Sequence, residues 1–217
     1  MKIFHVSHRG LIQKSLRENT LESFKISFQK NYSLETDLRY TKDGEIICVH
    51  DADLKRIYNK KDKIKSLTYD QLNKKTKNIQ KIPTLNDLLN IYKDDVYLFL
   101  ELKGLFKKDI LKKLIIKTSR FKKIVFISFW HKNLYAIHNL NKQLLLGASF
   151  HRVDSRAVLD ITKKLKLFCF ILNKELMFNF LFNKFKIYKF YYTVKDRETY
   201  LKYKNQQSLI IEYQAII

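Results

Sequence analysis

Short apolar runs rich in β-branched and aromatic residues alternate with longer stretches of helical periodicity along nearly the whole 217-residue chain. The strand candidates are 3–7, 33–38, 45–49, 96–102, 123–128, 144–149, 167–172, 187–194 and 208–212. Helical patterns fill most of the intervals, at 19–30, 84–93, 106–118, 131–140, 154–164, 174–184 and 196–204. Alternation of this kind reads as βαβ units and therefore as a parallel sheet with helices packed on it. The length suits one domain, and a single-domain α/β barrel of the TIM type, (β/α)8, spanning 1–217 accommodates the pattern. Nine runs compete for eight barrel places, so one of them is expected to be accessory.

One segment breaks the alternation. Residues 52–83 are polar and lysine-rich, with a single helix-like turn at Leu67–Leu72, and read as a long βα loop ending at Ile82-Pro83-Thr84. The first helix has a start signal in Asn19 followed three residues later by Glu22, a capping-box arrangement. Four glycines and one proline exclude linker-rich and collagen-like classes.

The formal net charge is +22. Such a balance raises nucleic acid and anionic membrane as partner classes. The excess is nearly all lysine, spread as pairs such as Lys60-Lys61 and Lys163-Lys164. Nucleic-acid readers favour the planar fork of arginine, concentrated on one face, so no nucleic-acid partner is expected. The field will still draw anionic substrates inward. Cys48 and Cys169 lie inside apolar runs and read as buried thiols, forming neither a disulfide framework nor a metal knuckle. The N-terminus enters a strand pattern without a signal-peptide stretch, and no segment approaches the ~18 apolar residues needed to span a bilayer. The expected location is the cytoplasm.

Four polar clusters end predicted strands, on the face where α/β barrels place their sites. His8-Arg9-Gly10 offers a ring suited to proton transfer and a fork suited to phosphate. Glu35 and Asp37, at i and i+2, project to one face, and two such carboxylates repel each other unless a cation lies between them. His50-Asp51 closes an apolar run. Glu101 and Lys103, again at i and i+2, bring opposite charges together. Taken singly, each cluster reads as structural. Together they make what phosphodiester hydrolysis requires: carboxylates for a cation, cationic side chains for the phosphate and two groups for proton transfer.

The order His8-Arg9-Gly10, Glu18-Asn19-Thr20-Leu21, Glu35-x-Asp37, Thr41-Lys-Asp-Gly44 and His50-Asp51 resembles the N-terminal motifs of the glycerophosphodiester phosphodiesterase family. Ile82-Pro83-Thr84-Leu85, Glu101-x-Lys103, Ser128-Phe129 and Tyr192-Thr193-Val194 resemble its later ones. The resemblance implies that Glu35, Asp37 and Glu101 bind a divalent ion, calcium or magnesium. It also implies that His8 and His50 act as general acid and base and that Arg9 and Lys103 hold the phosphate of a small diester. Arg17 stands where the family usually has proline, Tyr192 where it has tryptophan, and Glu212 where a Thr-Asp pair is common. No role is assigned to Glu212. The other histidines, His5, His131, His138 and His151, are expected to be structural or solvated.

Three functions are weighed. The first is hydrolysis of glycerophosphodiesters to an alcohol and glycerol 3-phosphate. The second is a lysophospholipase D or sphingomyelinase D-like activity on lipids. The third is a non-catalytic basic binding module, which has no use for converging carboxylates. Separately, the stretch 174–184 carries a core stripe (Met177, Phe180, Leu181, Lys184) and a second aromatic stripe (Phe178, Phe182, Phe185) beside Lys184, Lys186 and Lys189. That second stripe is either covered by neighbouring helices or offers a weak contact to an anionic membrane surface or a second copy of the chain.

Overall fold

Strands buried on both faces need apolar side chains at nearly every position, and most of the runs found in the sequence satisfy this, the run around Glu35 and Asp37 excepted. In the computed structural model, which describes residues 2–12, 17–212 and 215–216, they become β1 (Val6–His8), β2 (Ser33–Tyr40), β3 (Ile46–Cys48), β4 (Leu98–Leu102), β5 (Ile124–Ser128), β6 (Leu145–Phe150), β7 (Cys169–Asn173), β8 (Tyr188–Val194) and β9 (Ser208–Ile211). Eight of them pair in parallel in the order β1-β9-β8-β7-β6-β5-β4-β2, and β2 returns to β1, with Val6 opposite both Ile210 and Ser33. The sheet closes into a TIM-type barrel. The accessory strand is β3, which lies antiparallel on the end of β2 with Leu38 opposite Cys48 and Tyr40 opposite Ile46.

The helices are α1 (Leu21–Gln29), α2 (Lys55–Tyr58), α3 (Tyr69–Thr76), α4 (Leu85–Ile91), α5 (Lys108–Thr118), α6 (His131–Leu140), α7 (Ser155–Lys164), α8 (Phe180–Asn183) and α9 (Arg197–Tyr203). Among the described residues, no helix is long and apolar enough to cross a membrane. Their apolar faces pack on the outside of the barrel around Phe24, Leu88, Leu114, Leu134, Ile161 and Phe182.

The barrel interior is divided along its axis. Its middle holds Val6, Phe99, Val125, Ile127, Cys169, Ile171, Phe190 and Ile210. Below them, at the N-terminal end, rings close the barrel: Phe4 lies 5.2 Å from Tyr97 and 5.0 Å from Phe190, and Phe168 lies 5.0 Å from Tyr188. The polar side chains are left to the C-terminal end.

Three expectations are corrected. The cap of α1 is Thr20, not Asn19: the Thr20 hydroxyl accepts from Ser23 N–H at 3.1 Å, and the Ser23 hydroxyl accepts from Thr20 N–H at 3.2 Å. Asn19 lies one residue outside, in the left-handed region at φ 54°, which asparagine tolerates better than most residues. The segment 52–83 is not a bare loop. It folds into α2, a 3₁₀ turn at Ile64–Ser66 and α3, which bury Leu54, Tyr58, Ile64, Leu72 and Ile82 against Ile47 and Val49.

The third correction concerns 174–184, which is not one helix. The Asn173 side chain accepts from Glu175 N–H to start a 3₁₀ turn at Lys174–Leu176, and the Asn179 side chain accepts from Leu181 N–H to start α8. Each new start resets the helical phase. Phe182 therefore points into the core, 5.4 Å from Phe150 and 5.3 Å from Phe170, while Phe178 and Phe180 are exposed.

Packing inside the barrel explains one glycine. A Cβ at Gly147 would stand 2.6 Å from Cys169 Sγ and 2.8 Å from Ile127 Cγ2. Gly147→Ala is expected to cost about 1–3 kcal/mol through overpacking, lowering Tm by a few degrees to roughly 10 °C for a chain of this size. An unchanged melting curve would show that the interior has room there.

Candidate active site

The register of three neighbouring strands assembles the charged cluster. His8 ends β1 opposite Glu35 of β2, and Asp37 of β2 lies opposite Glu101 of β4. Glu35 and Asp37 are almost wholly buried, at 2% and 1% exposure. A carboxylate oxygen from each of Glu35, Asp37 and Glu101 can be chosen so that all lie within 4.8 Å of one another.

Burying like charges together is costly, and the surroundings counter it in part. Arg9 Nε lies 3.0 Å from Asp37 Oδ2, and Arg9 Nη1 donates to both oxygens of Glu18 at 3.1 and 3.2 Å. Lys103 Nζ donates to Glu101 Oε1 at 2.9 Å and stands 3.5 Å from Asp37 Oδ1. Asn19 Nδ2 donates to Asp37 Oδ2 at 3.2 Å, while its own carbonyl accepts from Thr36 at 2.7 Å. Burial pushes Asp37 up, but Arg9 and Lys103 reverse this and hold it below the ordinary aspartate value. For Glu35 burial prevails, reinforced by Asp37 and Glu101, and its carboxyl is raised well above the ordinary value. Glu101 is raised as well, by burial and by Asp37.

His50 reaches the cluster by a reversal. After β2 the chain turns through Thr41–Gly44, with Gly44 at φ 80°, and β3 runs back down β2 until Val49 N–H bonds Asp37 O at 2.8 Å. The expectation that His50 closes a barrel strand is therefore corrected: it follows an antiparallel strand and still arrives at the mouth. His50 Nδ1 is 2.8 Å from Asp51 Oδ1, which leaves Nε2 for the cavity. Burial draws the ring below its ordinary value, against the opposing charge of Asp37. Arg39 holds the loop by donating to His50 O at 2.8 Å and Lys103 O at 3.4 Å.

His8 is held from the other side. Its Nδ1 lies 3.3 Å from Glu212 Oε1, just beyond β9, and its Nε2 lies 3.9 Å from Glu35 Oε2. The Glu212 carboxyl is lowered by its bond to His8 and by the nearby Lys195. A chain of alternating charge joins the two halves: Arg9 to Glu18, Glu18 to Arg56, and Arg56 Nε to Asp51 Oδ2 at 2.7 Å. All seven residues expected from the sequence, His8, Arg9, Glu35, Asp37, His50, Glu101 and Lys103, thus meet at one end of the barrel. Six of them line a cavity of about 430 Å³, and Asp37 lies against the lining, 3.5 Å from Lys103. Phe129 and Tyr192 form its apolar wall, 5.7 Å apart edge to face.

Sequence reasoning gives no place in the site to Glu18, Asn19 or Glu212, although it names all three, and does not single out Arg39 or Arg56. For Arg39 a signal was present, since the alternation that pairs Glu35 with Asp37 continues to residue 39 on the same face. Of the other histidines, His131 bonds Ser149 O at 3.1 Å, His5 accepts from Leu209 N–H at 3.3 Å, and His151 lies 3.2 Å from the hydroxyl of Tyr192 in the cavity wall.

The donor set fits a divalent cation. Glu35 Oε1 and Asp37 Oδ1 are buried and make no hydrogen bond within the protein, which leaves oxygen donors of the kind that hard cations take.

A cation filling that position should stabilise the fold. At a hundredfold excess over Kd, binding contributes about 2.7 kcal/mol, or roughly 5–10 °C in Tm. Glu35→Gln should abolish most of that shift while leaving the metal-free protein no less stable, because one repelling charge is gone. The pH dependence has a definite sign. A carboxyl raised in the fold contributes stability that is fully present below its unfolded value and is lost as pH rises through the raised value. In the metal-free protein that contribution to Tm should therefore shrink as pH rises from the ordinary glutamate value through the raised one, and wild type should lose more over that rise than Glu35→Gln. Differential scanning calorimetry with and without chelator checks both. Equal metal shifts in wild type and variant would place the cation elsewhere.

Comparison with known proteins shows the family and the fold. The model of the glycerophosphoryl diester phosphodiesterase family matches residues 8–204. The chain is 30% identical over 162 residues to a glycerophosphodiester phosphodiesterase of Caldanaerobacter subterraneus, covering 68% of this chain and 66% of that one. It is 30% identical over 111 residues to a Bacillus subtilis relative, covering 47% and 45%. The matched stretches thus span between about half and two thirds of these relatives. Among solved structures, the glycerophosphodiester phosphodiesterase of Thermotoga maritima superposes with a TM-score of 0.83 at 23% identity, covering 100% and 97% of the two chains. A phosphodiesterase of Oleispira antarctica in complex with its product sn-glycerol-3-phosphate does so at 0.83 and 18%, covering 98% and 93%. The chain belongs to the glycerophosphoryl diester phosphodiesterase family.

Proposed function

We propose that this protein hydrolyses glycerophosphodiesters to an alcohol and glycerol 3-phosphate, using a divalent cation and two histidines. The reading is carried by one observation: two histidines, each tied by Nδ1 to its own carboxylate, face a single cavity lined also by Arg9, Lys103, Glu35 and Glu101, and Asp37 converges on those two carboxylates. Family membership supports the same reaction.

A calcium or magnesium ion held by Glu35, Asp37 and Glu101 would neutralise charge on the non-bridging oxygens of the phosphate. Arg9 and Lys103, already fixed against Glu18 and Glu101, would orient the phosphate without a further loss of side-chain freedom. His50 suits the general base, since burial favours its neutral ring and Asp51 orients it. It would take the proton of the attacking hydroxyl as that oxygen bonds to phosphorus and the bond from phosphorus to the leaving alcohol breaks. Attack by water gives glycerol 3-phosphate directly, whereas attack by the glycerol hydroxyl gives a cyclic phosphate that water then opens to the same product. His8 suits the general acid, giving a proton to the leaving oxygen while Glu212 counters the charge the ring carries beforehand. We place the activity in the cytoplasm, a reading supported by two buried unpaired cysteines, Cys48 and Cys169, which suit a reducing compartment.

The decisive assay is release of glycerol 3-phosphate from glycerophosphocholine, -ethanolamine, -glycerol and -inositol with calcium or magnesium added. No release from any of them overturns the proposal. His8→Ala and His50→Ala should each lose about 10²–10⁴-fold in kcat with Tm nearly unchanged. Arg9→Lys should also lower kcat/KM, because a point charge cannot reproduce the fork that spans Glu18 and Asp37. Near-wild-type turnover in either histidine variant would remove that ring from the chemistry.

A further inference from the structure

Among the described residues, eleven large apolar side chains are exposed, and six of them sit on the loops that leave four adjacent strands at the C-terminal end of the barrel. Leu105 follows β4, Phe129 and Trp130 follow β5, Val153 follows β6, and Phe178 and Phe180 follow β7. Because β4 to β7 are consecutive neighbours, the six form an arc along one side of the cavity mouth. The remaining five, such as Ile116 on α5 and Leu201 on α9, are scattered over the outer surface. The exposures are large: 53% for Trp130, 68% for Phe178 and 74% for Phe180.

Cationic side chains are interleaved with these residues. Lys107, Lys132 and Arg152 are exposed on the same loops or at the helix starts that follow them, and Lys184 Nζ stands 4.4 Å above the Phe180 ring. Aromatic and aliphatic side chains rimmed by lysine and arginine suit an interface of acyl chains with anionic headgroups. A second copy of the chain suits it poorly. A twofold contact sets a surface against itself, and this one would bring its own cations face to face in a protein of net charge +22.

We infer that this arc docks on an anionic lipid surface, so that the cavity opens against a membrane. The inference concerns binding and stands whether or not the cavity hydrolyses glycerophosphodiesters.

The chain carries its own reporter, since Trp130 is the sole tryptophan and lies in the arc. The probe is the full chain mixed with vesicles of phosphatidylcholine alone or with about one third phosphatidylglycerol. With the anionic vesicles, Trp130 emission should shift to the blue, be quenched by lipids brominated on the acyl chain, and return toward its free position in high salt. Co-sedimentation should fall at least tenfold for Phe178→Ser/Phe180→Ser and for Arg152→Glu/Lys184→Glu. The control Ile116→Ser, in an equally exposed but isolated position, should bind as wild type. All these side chains are exposed, so the variants should keep the wild-type Tm. Absence of binding to anionic vesicles, binding unchanged in both double variants, or a blue shift that appears without lipid and follows protein concentration would overturn the inference, the last by showing that the arc joins two copies of the chain.

Discussion

Everything at the mouth of this barrel answers to two carboxylates that β2 turns inward two residues apart. Glu35 and Asp37 share a face because a strand repeats every second residue, and both are removed from water. Left alone they would repel each other strongly in a medium of low polarity. Arg9 folds over Asp37 from a left-handed turn at φ 55°. Gly10, next to it, has no side chain because a Cβ would stand 2.3 Å from Ser23 Oγ at the start of α1. Asn19, also left-handed, gives its amide to Asp37, and Lys103 comes from the neighbouring strand end. Compensation is deliberately incomplete in one respect: an oxygen of each carboxylate has no hydrogen-bond partner in the protein. Apolar substitution would satisfy packing there more cheaply, so the retention of buried carboxylate oxygens without a hydrogen-bond partner points to a ligand and not to stability.

The two histidines depend on closure of the barrel and on reversal of the chain. Glu212 lies 204 positions from His8 in sequence, and it stands against the ring only because β9 pairs with β1. His50 is 13 positions from Asp37 in sequence, and it returns to Asp37 only because β3 runs antiparallel to β2. Each ring is thereby fixed at Nδ1 by a carboxylate, which sets the tautomer that turns Nε2 to the cavity. The route from Arg9 through Glu18 and Arg56 to Asp51 ties the two anchors into one network of alternating charge. Part of that network comes from α2, in a segment whose satellite core of Leu54, Tyr58 and Ile64 holds Arg56 in reach.

Much of this was legible in the sequence, and what was not has physical reasons. Nine strand runs announced themselves because strands covered on both faces are mostly apolar, and the clusters holding the seven candidate residues because their charges interrupt or follow such runs. A three-residue strand such as β3 has no pattern that tells parallel from antiparallel, so the origin of His50 could not be read. Asn19 reads as a helix cap because asparagine serves both caps and left-handed turns, and only the contact with Asp37 decides between them. Glu212 carried no local signal at all, since its partner is supplied by closure. The stripes at 174–184 do not survive folding because helical periodicity assumes one helix, and Asn173 and Asn179 begin two.

The division of the barrel along its axis explains why so much charge is tolerated at one end. Phe4, Tyr97, Phe168, Tyr188 and Phe190 seal the N-terminal end with interlocking rings, and Phe99 carries that packing up to Ile127 and Ile171 beneath the cavity. Aromatic burial is the largest favourable contribution that single side chains can make to a core. It is placed where no substrate reaches. The C-terminal end is thereby released from holding the fold together and can keep carboxylates that disfavour it. Substitutions in the lower rings should therefore act on stability with little effect on the site, and substitutions among Glu35, Asp37 and Glu101 should do the reverse. The two ends meet at Phe99, whose neighbours in β4 and β2 are Glu101 and Glu35. At that residue packing and chemistry cannot be varied independently, because any shift of its ring against Phe190, 4.9 Å away, moves the strand that carries the site.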